Sequence, residues 1–253
     1  MRVYDNLFNE VTSPENLFIA WNIFHRGKQQ RLDVQDFERN LENNIFQLAR
    51  DLREHRYRHG RYANFRIRDP KLREIHKATV RDRVIHHAIF RVLNIVYEPT
   101  FIPYSFSCRV GRGTHKGVSS LEKILQKMSQ NYSRTAYALK CDIRKFFDNI
   151  DHTILLEILG RKIKDLDLIG LLAEIIGSYP CGRFERERER ERESKISQIG
   201  VPIGNLTSQL FANIYLNEFD QFIKHELRIK NYVRYTDDFI IISEDSKYLQ
   251  NLL

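Results

Sequence analysis

Asn231-Tyr-Val-Arg-Tyr-Thr-Asp-Asp-Phe-Ile-Ile-Ile-Ser243 is the stretch on which the reading of this chain turns. Two β-prone runs, 232–235 and 239–242, flank Asp237 and Asp238, the pattern of a hairpin with its acids at the turn. Nothing basic separates the two carboxylates, so they repel unless a cation lies against them. That points to a divalent metal. Because Mg²⁺ prefers one or two carboxylates plus substrate phosphates, the pair anticipates a nucleoside triphosphate and a second acidic strand end elsewhere in the chain. A solvated loop tip explains the same two letters, and this stretch alone leaves both readings open.

The second acidic element is Ala136-Tyr-Ala-Leu-Lys-Cys-Asp-Ile-Arg-Lys-Phe-Phe-Asp-Asn-Ile-Asp-His152. An apolar strand ends in Asp142, and after a short turn Asp151 caps a helix that begins near His152. Asp148 and Asp151 surround that turn and helix start, where capping is their expected role. If the strand ending at Asp142 neighbours the hairpin, carboxylates from both converge on a pair of cations about 3.5–4 Å apart, an arrangement that supports in-line phosphoryl transfer. Between the two acidic elements, Gly200-Val-Pro-Ile-Gly-Asn-Leu-Thr-Ser-Gln209 makes a tight approach at Pro202 and Gly204. Leu206, Leu210, Ile214 and Leu216 then begin a helix whose start can lie beneath a flat ligand such as a nucleobase.

The 253 residues allow one large domain or two modest ones, and 42% hydrophobic content supports a true core. The net charge of +8 suggests a polyanionic partner, and its location is more telling: residues 50–83 hold twelve Lys or Arg against five Asp or Glu. Ser13-Pro14-Glu15 opens a helix with an apolar face at Leu17, Ala20, Trp21 and Phe24. Phe37, Leu41, Ile45, Leu48 and Leu52 read as a second helix, stopped by Gly60. His55 and His59 lie four apart on a basic face without a third ligand nearby, so solvation rather than metal binding is expected.

The run 64–76 alternates around Asp69-Pro70 and reads as a second hairpin, with Arg66, Arg68, Lys71 and Arg73 projecting from it. That ribbon suits a triphosphate or backbone phosphates; an edge hairpin guarded by charge is the other explanation. An apolar helix follows Arg81-Asp82-Arg83, with His86 and His87 expected to be structural. The loop at 103–118 holds Arg109, Arg112, three glycines and a possible N-cap at Thr114, so a phosphate could rest on its amides; the spacing is not that of an ATPase loop. Cys108, Cys141 and Cys181 form neither a disulfide framework nor a zinc pattern, which fits a reducing cytoplasm. The N-terminus lacks a signal pattern and no apolar run approaches a membrane span.

Taken in order, the basic hairpin, Asp142 with Phe147 five residues on, Pro202-x-Gly204-x-x-x-Ser208 and Tyr235-Thr-Asp-Asp238 resemble a reverse transcriptase across roughly residues 50–245. More narrowly, Ile203-Gly-Asn-Leu-Thr-Ser-Gln209, Pro103-Tyr-Ser-Phe-Ser-Cys-Arg109 and Gly113-Thr-His115 resemble the enzymes of diversity-generating retroelements, which copy a template RNA with frequent errors at adenine. The alternatives are a group II intron, retron or antiphage-defence reverse transcriptase, or a non-catalytic, maturase-like RNA-binding scaffold.

The resemblance implies an α+β fold of right-hand polymerase fingers and palm, the palm a ferredoxin-like sheet with flanking helices. It assigns 1–60 to an N-terminal helical extension, 61–135 to fingers and 136–253 to an incomplete palm with a charged insertion at 183–198. Within that insertion Glu and Arg alternate, and a solvated tract is expected. Leu253 lies fifteen residues past Asp238, so the thumb is expected to be absent.

The resemblance also implies that Asp142 and Asp237 bind two Mg²⁺ ions with help from the Ile143 carbonyl, and that Asp238 supports the site. Arg66 and Arg73 match positions that hold the incoming dNTP. Phe147 matches the steric gate against a 2′-hydroxyl, and Ile203 and Gly204 lie beside the nascent base pair. Arg68, Lys71, Arg83, Arg109, Arg112 and Gln209 are the expected nucleic-acid contacts. Template RNA, primer and an accessory variability-determinant-type protein are the implied partners, in a bacterial or phage-encoded cytoplasmic setting with no membrane.

Overall fold

The structure, a computed structural model, describes residues 2–69, 71–179 and 198–252. The Arg-Glu tract and Cys181 lie outside the described residues. In chain order the helices are α1 (Leu7–Thr12), α2 (Pro14–His25), α3 (Leu32–Glu38), α4 (Leu41–Arg53), α5 (Val80–Tyr97), α6 (Thr114–Met128), α7 (His152–Lys162), α8 (Leu166–Gly177), α9 (Leu206–Gln221) and α10 (Ser246–Gln250). The strands are β1 (Ala63–Asp69), β2 (Lys71–Lys77), β3 (Tyr137–Asp142), β4 (Tyr232–Tyr235) and β5 (Asp238–Ser243). Contacts divide the chain into two compact units: Met1–Val96 with Phe147–Phe211, and Tyr97–Phe146 with Ala212–Leu253. This grouping cuts across the three segments expected from sequence.

In the first unit, Ser13 caps α2 by accepting from the Asn16 amide at 3.1 Å, with Pro14 in the first turn. Leu17, Ala20, Trp21 and Phe24 are buried, and the Trp21 ring stacks on Phe37 at 5.2 Å. The single helix expected over Phe37 to Leu52 is two, because Asn40 (φ −125°, ψ 38°) breaks it. α4 then ends at Arg53, well before Gly60. Gly60 serves a close approach instead: a Cβ there would lie 2.8 Å from Asp82 Oδ2, the oxygen its amide donates to.

Val84, Ile85, Ala88, Ile89 and Leu93 of α5 are fully buried, each large side chain contributing about 1.5–3 kcal/mol. His86 sits among them, and burial pushes its pKa well below the ordinary value, as a structural histidine requires. Asp151 caps α7, accepting from the Ile154 amide. Asp165 caps α8 through the Leu168 amide and also accepts from Phe8 of α1 at 2.7 Å.

The second unit is built on an antiparallel sheet in the order β3-β5-β4. Tyr232, Ile241 and Leu249 pack with Ile102, Ile223 and Ile229 into its core. Leu139 and Cys141 of β3 are half-buried, whereas Ala138, Lys140 and Asp142 alternate onto the open face. The outer edge of β4 is covered by the loop at 104–106: Arg234 N donates to Tyr104 O at 2.9 Å, and Phe106 N donates to Arg234 O at 3.0 Å. Among the described residues no helix is long and apolar enough to cross a membrane.

Candidate active site

The acidic turn belongs to the second unit. β3 and β5 are neighbours, and their register sets Asp142 directly opposite Asp238. Directly opposed residues in an antiparallel pair hold their Cβ atoms about 4.5–5.5 Å apart, within reach of one bridging cation. Asp142 and Asp238 are exposed and Asp237 is half-buried in the two-residue turn. The turn starts at Thr236, whose φ of 55° is left-handed. Lys140, two residues before Asp142 on the same face, places its ammonium 3.8 Å from Asp238 and offsets part of the repulsion. Among the described residues no three His, Cys, Asp or Glu side chains form a ready metal cage. A Mg²⁺ ion fits such a place only by completing its shell with backbone oxygen, water and substrate phosphate, which is its usual preference.

A buried network that the sequence reading did not find lies behind the turn. Arg234 is 0% exposed, as is its partner Asp220 on α9. The guanidinium donates to both Asp220 oxygens at 2.8 and 2.6 Å, to Asn213 Oδ1 at 3.3 Å and to the Thr236 carbonyl at 2.9 Å. Tyr232 donates to Asp220 at 2.7 Å, and burial, with Asp220 adding, pushes its hydroxyl pKa up. Thr236 Oγ1 donates to Ser107 Oγ at 2.6 Å, while Asn213 holds the Ser107 carbonyl at 2.9 Å. The signal for this network was an arginine within Tyr-Val-Arg-Tyr, since a cation in an apolar strand requires a buried anion.

Arg109, expected on nucleic acid, is corrected by the structure. It is 8% exposed, and it donates to Glu98 in a fork at 2.7–3.0 Å and to the Ile102 and Ser105 carbonyls at 2.7 Å. Those bonds spend its donors on holding the loop. Arg112 is exposed. α6 begins at Thr114 with Gly113 as N-cap and no side-chain bond; the Thr114 hydroxyl donates instead to Tyr235 Oη at 3.1 Å.

Ile143 follows Asp142 in the second unit, and the remaining expected residues lie in the first. Arg66, Arg68 and Arg73 are exposed on the hairpin; Lys71 begins β2, and its side chain lies outside what is described. The register pairs Arg66 with Glu74 and Arg73 with Ile67, so the two arginines expected to share a triphosphate occupy opposite faces of the ribbon. Arg73 shares its face with Ile75, whose Cγ2 would lie 2.8 Å from a Cβ on Gly204.

The loop at 203–205 is fastened to β2: His76 N donates to Ile203 O at 3.1 Å, and Asn205 Nδ2 donates to His76 O at 3.1 Å. Phe147, half-buried, accepts from the Val201 amide at 2.8 Å, which ties its short 3-10 turn to the same segment. Arg83 is committed to Asp33 at 2.7 Å, a carboxylate also held by Lys77 at 2.7 Å. Burial alone would raise the Asp33 pKa; the two cations outweigh it and hold it below the ordinary value.

A cavity of about 290 Å³ opens beside this loop, with Lys28, Arg31, Phe65, Gly204, Asn205 and Gln209 in its wall. His86 also reaches it, and His86 Nδ1 and Asn205 Oδ1 are buried without a hydrogen-bond partner among the described residues. His59 Nδ1 is held by the Gly60 carbonyl and its Nε2 by His86 Nε2 at 3.3 Å, so a neutral His59 makes His86 Nδ1 an acceptor. Two orphaned acceptors among cations suit a ligand with both phosphate and N–H or O–H donors.

The description "Reverse transcriptase (RNA-dependent DNA polymerase)" fits the family that matches residues 67–253. Protein YkfC of Escherichia coli K12 is 26% identical over 211 residues, covering 70% of this chain and 52% of that protein. The group II intron-encoded protein LtrA of Lactococcus lactis is 29% identical over 153 residues, covering 60% of this chain and 23% of that one. This chain therefore spans about half, or less, of the length of these relatives. A chain of a partial Cas6-RT-Cas1–Cas2 complex superposes with a TM-score of 0.51 at 22% identity, over 94% of this chain and 38% of that one, and so shares the fold.

Proposed function

Since the match over residues 67–253 makes this chain a member of the reverse transcriptase family, we propose that it carries the catalytic part of an RNA-directed DNA polymerase, extending a primer on a template RNA with dNTPs. The observation that carries this reading is the pairing of Asp142 with Asp238 at the ends of neighbouring strands, beside Asp237 in the turn. Nucleic-acid binding alone has no use for acids gathered where they repel phosphate.

Asp142 and Asp237 are the proposed ligands of Mg²⁺, with the Ile143 carbonyl helping and Asp238 supporting the site. When bound, Mg²⁺ lowers the pKa of the primer 3′-hydroxyl and balances charge on the leaving pyrophosphate. Arg73 takes the triphosphate role, and Arg66, on the other ribbon face with Arg68, suits a separate backbone phosphate. Phe147 excludes a 2′-hydroxyl. The cavity beside Gly204, with its cations and orphaned acceptors, supports a nucleotide there. Extension of a primed RNA template with Mg²⁺ and dNTPs tests the reading; a protein inert on every primed RNA, alone or joined to the additional length its relatives carry, contradicts it.

The finer reading is error-prone cDNA synthesis in a diversity-generating retroelement, with an accessory variability-determinant-type partner. It rests on the resemblance, in which Ile203, an apolar side chain, stands in place of the hydrogen-bonding glutamine of most reverse transcriptases; a missing polar contact weakens the penalty against wrong partners. Ile203→Gln is expected to lower misincorporation opposite adenine, and an unchanged error spectrum removes this support. The likeness to LtrA favours the second reading, a group II intron-type enzyme.

A further inference from the structure

We propose that Arg234 is a positioning residue of the acidic turn, holding the Thr236–Asp237 peptide so that Asp237 and Asp238 face a divalent cation; this rests on the polymerase reading above. The geometry is direct. The guanidinium donates to the Thr236 carbonyl at 2.9 Å, and that oxygen belongs to the same rigid peptide plane as the Asp237 amide. Fixing it anchors the N and Cα of Asp237, from which the side chain departs. Thr236 is also held in left-handed backbone at φ 55°, which costs a β-branched residue strain and persists only where surrounding bonds over-determine it. The Thr236 hydroxyl bond to Ser107 is the second restraint on that residue.

The choice of residue is the other half of the argument. A strand position with 0% exposure ordinarily takes an aliphatic side chain, and burying a guanidinium with its carboxylate gains little or nothing in stability over an apolar pair. An apolar pair, however, cannot reach the Thr236 carbonyl. What the ionic pair adds is a planar fork, locked by both Asp220 oxygens and by Asn213, with one arm left for the turn. Asn213 also grips the Ser107 carbonyl, so both restraints on Thr236 are tied to the same side chain. The arrangement matches the way outer partners orient metal ligands.

The test uses the variant Tyr232→Phe/Asp220→Leu/Arg234→Met, which replaces the network with apolar groups of similar size and leaves the acids untouched. Thermal melting reports folding, Mn²⁺ titration followed by electron paramagnetic resonance reports cation binding, and primer extension reports the Mg²⁺ requirement. The expected result is a melting temperature at or above that of the unmodified chain, with Mn²⁺ affinity weakened about tenfold or more, as for other lost outer partners. The half-saturating Mg²⁺ concentration rises with it, while KM for primer and template stays unchanged. A folded variant with unaltered Mn²⁺ affinity and Mg²⁺ requirement overturns the proposal. Arg234→Lys serves if the triple variant does not fold, because an ammonium lacks the fork that joins Asp220 to the Thr236 carbonyl; the same loss is expected, and unaltered affinity again refutes it. An unmodified chain that binds Mn²⁺ but extends no primer overturns the polymerase reading, and the Mn²⁺ comparison still decides the role of Arg234.

Discussion

Gly204→Ala tests the physical account of the loop at 203–205. At φ 109° the backbone is in a region L side chains rarely adopt, and holding alanine there costs about 1–3 kcal/mol. The new methyl would also lie 2.8 Å from Ile75 Cγ2, and because the loop is pinned to β2 through His76 it has little room to retreat; such overpacking costs about 1–3 kcal/mol more. Together these predict a loss of about 2–6 kcal/mol, a fall in melting temperature on the order of 10 °C for a chain this size. Urea and thermal unfolding of the single variant measure the sum. Ile75→Ala in both backgrounds then separates the parts, since it removes the contact but not the backbone strain. The double-mutant cycle should return a coupling of about 1–3 kcal/mol. A Gly204→Ala protein within about 0.5 kcal/mol of the unmodified chain refutes the reasoning, and zero coupling to Ile75 refutes its steric half.

Arg109→Ala is expected to lower stability by about 1–3 kcal/mol through its broken bonds to Glu98 and the loop carbonyls, while the salt dependence of RNA binding stays as it was. Arg112→Ala should do the reverse, leaving the melt intact and reducing the slope of log affinity against log salt by about one. Exchanged outcomes would return Arg109 to the nucleic-acid surface. For pH, His87 is pushed down to about 4 by burial, with Lys28 and Arg83 adding, whereas the unfolded residue titrates near its ordinary value. Between those values only the unfolded chain takes the proton. Stability is therefore complete above about pH 6.5, declines as pH falls, and stops declining on this account near 4. His87→Gln should flatten part of that decline in a melting series; an unchanged slope contradicts the assignment.

Local signals in the sequence were readable because they act over a few residues. Ser13 and Asp151 cap helices where the spacing placed them, and both hairpins close where turn residues separate alternating runs. The acidic pairing was legible as a conditional: it required β3 and β5 to be neighbours, and they are. What escaped depends on contacts between distant residues or on register. Glu98 and two carbonyls claim Arg109, so a cation beside two glycines told nothing of its burial. The register of β1 against β2 puts Arg66 and Arg73 on opposite faces, a parity the letters do not state. Gly60 looked like a helix stop because glycine often is one; the need it meets comes from Asp82, twenty-two residues away. Arg234 was the avoidable omission, since a charged residue inside an apolar strand demands a partner and Asp220 stands among Phe219, Phe222 and Ile223.

The most direct test of the central claim pairs primer extension with cation binding in Asp142→Asn and Asp237→Asn. Each substitution keeps the side chain's shape while removing a charge, so folding should persist, and relief of repulsion leaves the melting temperature level or higher. The account predicts that each abolishes DNA synthesis on a primed RNA and weakens Mn²⁺ binding in proportion to the ligand lost. Near-normal extension by either variant, in a chain that still folds, contradicts the claim that these two aspartates hold the catalytic cations.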